Sequence, residues 1–313
     1  MDLGMLISQS AKNLKKNWIL VVPAMLTQIV VPLALFVVAV LAIAPLVVAF
    51  NMTGDIWGLA QTVAVGGAVL LIAGFLVNTV VTAGWAYMNK RVVVDGGTRL
   101  EDFWFGARKY FPRILGGRVL VAVIVVVPIA ALVAAFVASI ASLNVGPLPP
   151  PGEVSSEAIF RLLAPVILGL LGIFVIVGLI ELLLYIFLLP WMQALVMDDL
   201  GIWASVRRSF GFVRRNFATM IGYVVISGVA WIAASWATSF LWPSIPFLEL
   251  TQPRMYEDST RLLGLVLGAG SIVNSLISAL LSAFFTLLLF VIYADRRRGS
   301  VPSAAAEGAA RSS

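Results

Sequence analysis

Residues 162–196 read LLAPVILGLLGIFVIVGLIELLLYIFLLPWMQALV and carry one charged side chain, that of Glu181. About 20 consecutive apolar residues are enough for an α-helix to cross the hydrocarbon core of a bilayer. This stretch is longer, so it predicts a transmembrane helix that tilts, kinks or extends beyond the bilayer. Pro190 predicts a kink near its end, because proline removes a helix hydrogen bond.

Five further apolar stretches of similar character cover residues 18–50, 62–88, 117–143, 217–242 and 262–293. Across the 313 residues, 61% of side chains are hydrophobic, 12% are charged, and the mean hydropathy is +1.04. Soluble domains are roughly 45–50% apolar and about 25% charged. We predict an all-α integral membrane protein with six transmembrane helices. It would form one domain over residues 1–296, followed by a disordered tail over residues 297–313.

The charged residues separate to the two sides of these spans. Of 21 Lys and Arg residues, all but Arg161, Arg254 and Arg261 fall at the chain ends and in alternate loops. Because cytoplasmic loops carry the excess of basic residues, both termini are expected in the cytoplasm. The net charge of +6 is assigned to this topology, and no nucleic-acid partner is expected.

Three segments at the predicted cytoplasmic side align without gaps. They are residues 3–18, 96–111 and 202–217, and each ends in two basic residues, a polar residue and an aromatic residue. The pattern predicts three parallel repeats of one interfacial helix plus two spans, over about residues 1–88, 96–196 and 202–293. The alternative is that any cytoplasmic junction carries basic and then aromatic residues.

The third segment has helical periodicity. Val206, Phe210, Val213 and Phe217 recur at i, i+4, i+7 and i+11 and so share one helix face. Basic residues lie off that face, as in a helix lying in the membrane interface. These segments are expected to contact anionic lipid head groups of the inner leaflet or an acidic partner, unless their charge serves topology alone. The residues concerned are Lys12, Lys15, Lys16, Arg108, Lys109, Arg207, Arg208, Arg214 and Arg215.

A recognisable signature runs through Pro190–Trp191, Val196–Gly201, Arg207–Phe210 and Arg214–Phe217. In it the chain resembles the membrane domain of some bacterial glycerophosphodiester phosphodiesterases and related stand-alone six-helix bacterial membrane proteins. The resemblance implies a polytopic helical fold in a prokaryotic plasma membrane. It implies no activity, because the phosphodiesterase reaction belongs to a separate barrel that uses histidines and metal-binding carboxylates, and this chain has no histidine.

The chain has neither cysteine nor histidine, which excludes thiol nucleophiles, imidazole acid–base catalysis and Cys/His metal sites. We expect no cofactor and no enzymatic activity. Asp198 and Asp199 could form an acid–base pair or hold a metal, but they are predicted to cap the following helix or to pair with Arg207 and Arg208.

Glu181 is the only carboxylate inside a predicted span. A charge at mid-bilayer costs about 2.5–3.5 kcal/mol on insertion scales, so the side chain should face the bundle, be protonated or find a partner. Asn78, Asn274 and Gln28 are the candidate partners. The site could couple transport to a proton or cation, or it could be a protonated carboxyl group in a structural hydrogen bond.

Two classes of function follow. The first is a non-enzymatic plasma-membrane protein that organises lipids, a second membrane protein or copies of itself through its basic helices. The second is a transporter or channel for an ion, lipid or small molecule, with Glu181 in the pathway. A lipid-modifying enzyme that uses Asp198 and Asp199 is a third reading.

Overall fold

The structure, a computed structural model, describes residues 2–32, 34, 38, 56–142, 156–240 and 256–298. Most of the first predicted span and the predicted tail from residue 299 lie outside these residues. The described chain is helical and contains no strand. Its helices are α1 (Leu3–Lys16), α2 (Trp18–Val30), α3 (Ile56–Asp95), α4 (Leu100–Ser142), α5 (Ser156–Leu188), α6 (Trp191–Met197), α7 (Ile202–Arg215), α8 (Phe217–Phe240) and α9 (Tyr256–Arg298).

Among the described residues, five helical stretches are long and apolar enough to span a membrane: Val63–Asp95, Leu100–Ala131, Leu171–Met197, Phe217–Thr238 and Ile272–Arg297. Large apolar side chains on them stay exposed, including Leu71 at 76%, Phe174 at 77% and Trp236 at 67%. Apolar surface of this extent needs lipid as its solvent. The helices are those of a multi-pass membrane protein.

The buried core lies at one end of the bundle, which we call the basic end: the end that holds α1, α6, α7 and the α3–α4 turn. Helix α9 is central to it, since 56% of its most apolar stretch is buried, against 6–11% for the other four spans. Leu287, Phe290 and Tyr293 of α9 are fully buried there. Away from this end, the described helices present exposed apolar side chains.

Helices α3 and α4 form a long hairpin at the basic end. Gly96 ends α3 with φ 75°, a left-handed conformation that glycine adopts without strain, and its N–H donates to the carbonyl of Val92. The carboxylate of Asp102 accepts from the Arg99 N–H at 2.8 Å and from the Thr98 hydroxyl at 3.0 Å, which caps the start of α4.

The second repeat segment is therefore not a separate helix. Helix α4 begins at Leu100 and continues through Pro112 into the span that was predicted to start at Gly117. Helices α1 and α7 do stop, at Asn17 and Asn216, whose side-chain amides each donate to the carbonyl four residues back at 3.0 Å. Tyr110 occupies the equivalent position of the second segment and has no amide with which to make this cap.

The α7 face differs in part from the predicted one. Val206 and Val213 are buried as expected, but Phe210 remains 37% exposed and Phe217 41% exposed. Ser209 takes the buried position instead, because its hydroxyl donates to the carbonyl of Phe187 at 2.6 Å. A hydroxyl satisfied in this way can be buried, and apolar periodicity alone does not reveal it.

Candidate functional site

A polar cluster lies inside the α3–α4 pair, around the guanidinium of Arg118. Its Nη1 donates to the side-chain oxygens of Asn78 at 2.8 Å and Thr79 at 3.0 Å, and its Nη2 donates to the hydroxyl of Thr82 at 2.7 Å. Thr82 lies three and four positions after Thr79 and Asn78, so the three residues line one helix face towards α4. Helical spacing thus builds a three-point cradle for one arginine.

The threonines of this cradle can only accept from the arginine. Their hydroxyl protons are already donated to backbone carbonyls: Thr79 to that of Phe75 and Thr82 to that of Asn78, both at 2.7 Å. All partners of Arg118 are neutral, and no carboxylate of the described chain pairs with it. A positive charge without a counter-ion in the described chain is thus held within a spanning helix, where its cost rises with its depth in the bilayer.

Two adjoining grooves lie beside α4, and Val121 and Val125 of this helix line both of them. The first, the arginine groove, has a volume of about 500 Å³ and is lined by Phe75, Thr82, Arg118, Val121, Ala122, Val125, Val126, Leu189, Trp191 and Met192. The second, the glutamate groove, has a volume of about 550 Å³ and is lined by Val121, Val125, Gly178, Glu181, Leu182, Tyr185, Leu188, Leu189 and Trp191. Trp191 and Leu189, at the α5–α6 junction, contribute to both.

The predicted intramembrane residues have separate surroundings in the structure. Asn78 binds Arg118, whereas Asn274 is exposed on α9 and its side-chain oxygen lies 3.3 Å from the hydroxyl of Thr238 on α8. Glu181 is exposed in the glutamate groove and has no hydrogen bond to either amide. The three residues do not meet in one contact, and the role assigned to Glu181 stays a prediction.

The turn between α6 and α7 carries Asp198 and Asp199. The predicted kink at Pro190 is confirmed: α5 ends at Leu188 and α6 starts at Trp191. Asp198 accepts from the Tyr293 hydroxyl at 2.6 Å, pairs with Arg297, and lies 3.8 Å from Nε of Arg208. This carboxylate therefore joins α7 and the end of α9 to the turn.

Asp199 joins the same turn to α4. It has φ 51°, a left-handed conformation that aspartate tolerates better than most residues. Its carboxylate is 3.0 Å from Nζ of Lys109 and 2.7 Å from Nη1 of Arg113. The hydrogen bond from Lys109, with a further contribution from Arg113, holds the pKa of Asp199 below its ordinary value.

Both carboxylates of this turn form ion pairs with Lys and Arg side chains of the same chain. Lys90 adds a bond from α3, since its Nζ donates to the carbonyl of Val196 at 2.7 Å. The turn is thus tied to α3, α4, α7 and α9. Within the described ranges, no cluster of carboxylates could hold a metal ion.

The basic residues predicted to contact lipid or a partner divide into two groups. Lys109 and Arg208 are engaged with Asp199 and Asp198. The others are exposed and form no ion pair with the described chain; they are Lys12, Lys15, Lys16, Arg108, Arg207, Arg214 and Arg215. Exposed aromatic side chains accompany them, with the guanidinium of Arg207 5.4 Å from the ring centre of Trp203.

The family model described as Domain of unknown function (DUF7847) matches residues 1–295. The chain belongs to this family. No curated protein and no solved structure matches the chain. These comparisons do not link the family to glycerophosphodiester phosphodiesterases, so the resemblance seen between residues 190 and 217 has no support from them.

For this member of the family, sequence reasoning missed Arg118. The charge pattern of the sequence places it with the basic residues of the chain ends and alternate loops, at the membrane surface. A signal was present, since Arg118 follows Arg113 by five positions and is the last charged residue before an uninterrupted apolar run. Five helical residues advance the chain by about 7.5 Å, which carries this arginine inward from the others.

Proposed function

We propose that the chain is a non-enzymatic, multi-pass protein of a prokaryotic plasma membrane whose basic end faces the cytoplasm. In this proposal it has six spans and organises anionic lipids at the inner leaflet. The same surface would also suit an acidic face of a second membrane protein or of further copies of the chain.

One observation carries the proposal: at the basic end, the central carboxylates form ion pairs within the chain, whereas cations such as Arg207 and Arg214 are exposed. Asp198 and Asp199 are neutralised by residues of α4, α7 and α9. Exposed cations such as Arg207 and Arg214 then lie beside exposed rings such as Trp203 and Phe210. Basic residues attract an anionic leaflet, and aromatic rings prefer the head-group level.

The similarity of α1 and α7 supports the repeat within this proposal. Each helix has 14 residues, follows an extended residue, and ends in a cap made by an asparagine side chain. Ser10 and Ser209 occupy the same place in the two helices, and both are fully buried. Two basic residues precede each cap, so each helix brings a cationic end to the same side of the bundle.

The lipid proposal is tested with chain reconstituted in mixed vesicles of phosphatidylglycerol and phosphatidylcholine. Electron spin resonance of spin-labelled lipids measures the preference of the protein's lipid shell for each. We expect the wild type to favour phosphatidylglycerol and a triple variant, Arg207→Gln, Arg214→Gln and Arg215→Gln, to lose much of that preference. At about 1 kcal/mol for each basic residue near the surface, the preference should fall at least about fivefold.

A matched control removes the same number of charges from the other predicted side, as Arg161→Gln, Arg254→Gln and Arg261→Gln. It should keep the preference, which should also weaken in molar salt because charge interactions at the surface are screened. Equal shells of the two lipids around the wild type would refute the proposal.

The transporter reading has one observation in its favour, the open glutamate groove with Glu181 in its wall. That reading predicts cation or proton flux in the same vesicles and loss of flux in Glu181→Gln. The lipid proposal predicts no flux in either protein.

A further inference from the structure

We propose that the arginine groove binds one phospholipid, with the lipid phosphate on Arg118 and an acyl chain along the apolar wall. The site would lie at the leaflet that meets the basic end. This inference rests on the proposed function, which it deepens by naming one lipid and one place for it. Lipid preference at the surface and lipid binding in this groove can nevertheless be refuted independently of each other.

The charge of Arg118 calls for an anion from outside the described chain. A guanidinium has five N–H donors, and three are directed at Asn78, Thr79 and Thr82. One donor on Nη2 and the donor on Nε are left without a partner in the described chain. Arginine binds phosphate with two parallel N–H donors, so the free donors match this ligand.

The depth of the arginine suits a lipid head group. Arg113, nearer the basic end, is already engaged by Asp199. Arg118 lies five residues further along α4, about 7.5 Å deeper by helical rise. A phosphate at the boundary between head groups and acyl chains is within reach of a long arginine side chain at that level.

The shape of the groove decides between a lipid and a small anion. Beyond the guanidinium, its wall on α4 consists of Val121, Ala122, Val125 and Val126. Val126 is 58% exposed and Phe75, on the facing helix α3, is 40% exposed, so the groove is open at its side. A free phosphate ion would use none of this apolar wall, whereas an acyl chain would cover it.

The experiment is native mass spectrometry of the full chain released from detergent. Three probes are added separately: phosphatidylglycerol, a diacylglycerol with the same acyl chains, and inorganic phosphate. We expect one phosphatidylglycerol to bind the wild type with saturable affinity and diacylglycerol to bind much more weakly. Arg118→Gln should weaken phosphatidylglycerol binding about tenfold or more, since it removes charge-assisted hydrogen bonds.

Arg161→Gln is the matched control, because it removes the same charge from the predicted side opposite the basic end and should leave this site intact. If Arg118→Gln does not fold, Thr82→Val takes its place: it keeps the charge, removes one brace of the guanidinium and should weaken binding severalfold. Binding that is equal for diacylglycerol, or for Arg118→Gln, overturns the inference. So does inorganic phosphate that displaces the lipid at equal concentration.

The surface triple variant separates the two proposals. If it loses the general preference for anionic lipid but retains the single bound lipid, the groove acts independently of the surface. If the wild type shows the general preference but no saturable lipid, the groove inference fails and the proposed function stands.

Discussion

At the scale of single residues, two neighbouring aspartates show how burial determines the contribution of an ion pair to stability. The side chain of Asp198 is 16% exposed and pairs with Arg297, Arg208 and Tyr293, whereas that of Asp199 is 45% exposed. Water screens an exposed ion pair, so its contribution is at most about 1 kcal/mol. Hydrogen bonds to a charged group that is largely buried contribute about 1.5–3 kcal/mol each.

We therefore predict that Asp198→Asn destabilises the fold by about 2–3 kcal/mol and Asp199→Asn by no more than about 1 kcal/mol. The two variants change one oxygen to nitrogen at adjacent positions and so control for each other. Thermal unfolding in detergent, followed by near-ultraviolet circular dichroism, measures the order. Equal melting temperatures would show that the α9 contacts of Asp198 do not stabilise the bundle.

The small effect of Asp199 should also depend on pH in a defined direction. Lys109 lowers the pKa of Asp199 in the folded chain below the ordinary value of 3.8. A group with a lowered pKa contributes stability above its unfolded pKa and loses it as the pH falls through its folded pKa. The difference in melting temperature between wild type and Asp199→Asn should thus be constant from pH 7 to about pH 5 and should shrink as the pH falls below the ordinary pKa of 3.8.

Residue types predicted part of this site and not its geometry. The carboxylates of the α6–α7 turn are predicted to pair with Arg207 and Arg208. Of these two arginines, only Arg208 lies near one of the carboxylates, that of Asp198. The partners from α4 and α9 lie about 90 to 100 residues away in sequence, at separations of 90 for Lys109 and 99 for Arg297. A local pattern cannot reveal such partners, because tertiary packing brings them together.

At the scale of helices, the α3–α4 hairpin depends on close approach at glycine. A Cβ at Gly84 would lie 2.7 Å from the carbonyl oxygen of Phe103, a backbone atom that cannot move aside alone. A Cβ at Gly66, in the same helix, would have no neighbour within 4 Å. The same substitution should therefore have opposite effects at the two positions.

Gly84→Ala is expected to destabilise the chain by about 1–3 kcal/mol through overpacking. Gly66→Ala should leave stability unchanged or raise it by about 0.5–1 kcal/mol, because alanine favours the helix. Melting temperatures of both variants in one detergent provide the test. A neutral Gly84→Ala would mean that α4 can shift away from α3 at little cost.

Sequence alone predicted most helices but not where one ends and the next begins. Apolar runs locate α3, α5, α8 and α9, since length and hydropathy are enough to identify a span. Whether one helix continues into the next is harder to predict, because it depends on whether a single residue caps the helix. Asn17 and Asn216 end the helices of the first and third repeat segments, and with tyrosine at position 110 the helix of the second segment continues.

At the scale of the whole molecule, the positions of the helix ends bear on the number of spans. Helix α1 packs at the basic end, where Leu3 comes within 3.2 Å of a Cβ placed on Gly222. Helix α3 ends at the basic end, so its first residue, Ile56, lies about 60 Å away by helical rise. This separation of the two ends agrees with the sixth span predicted from the sequence between α1 and α3, which stays a prediction because the described residues contain five spans.

This layout can be tested cleanly because the chain has no cysteine, so one introduced thiol is the only reactive one. We predict that cysteines at Gln9 and Arg215, both exposed at the basic end, react with a membrane-impermeant maleimide only after the cells are opened. A cysteine at Gly152, in a loop predicted on the other side, should react in intact cells. Labelling of Gln9→Cys from outside, with Arg215→Cys protected, would place α1 and α7 on opposite faces. The surface on which the lipid proposal depends would then not exist, since its cations would be divided between the two leaflets.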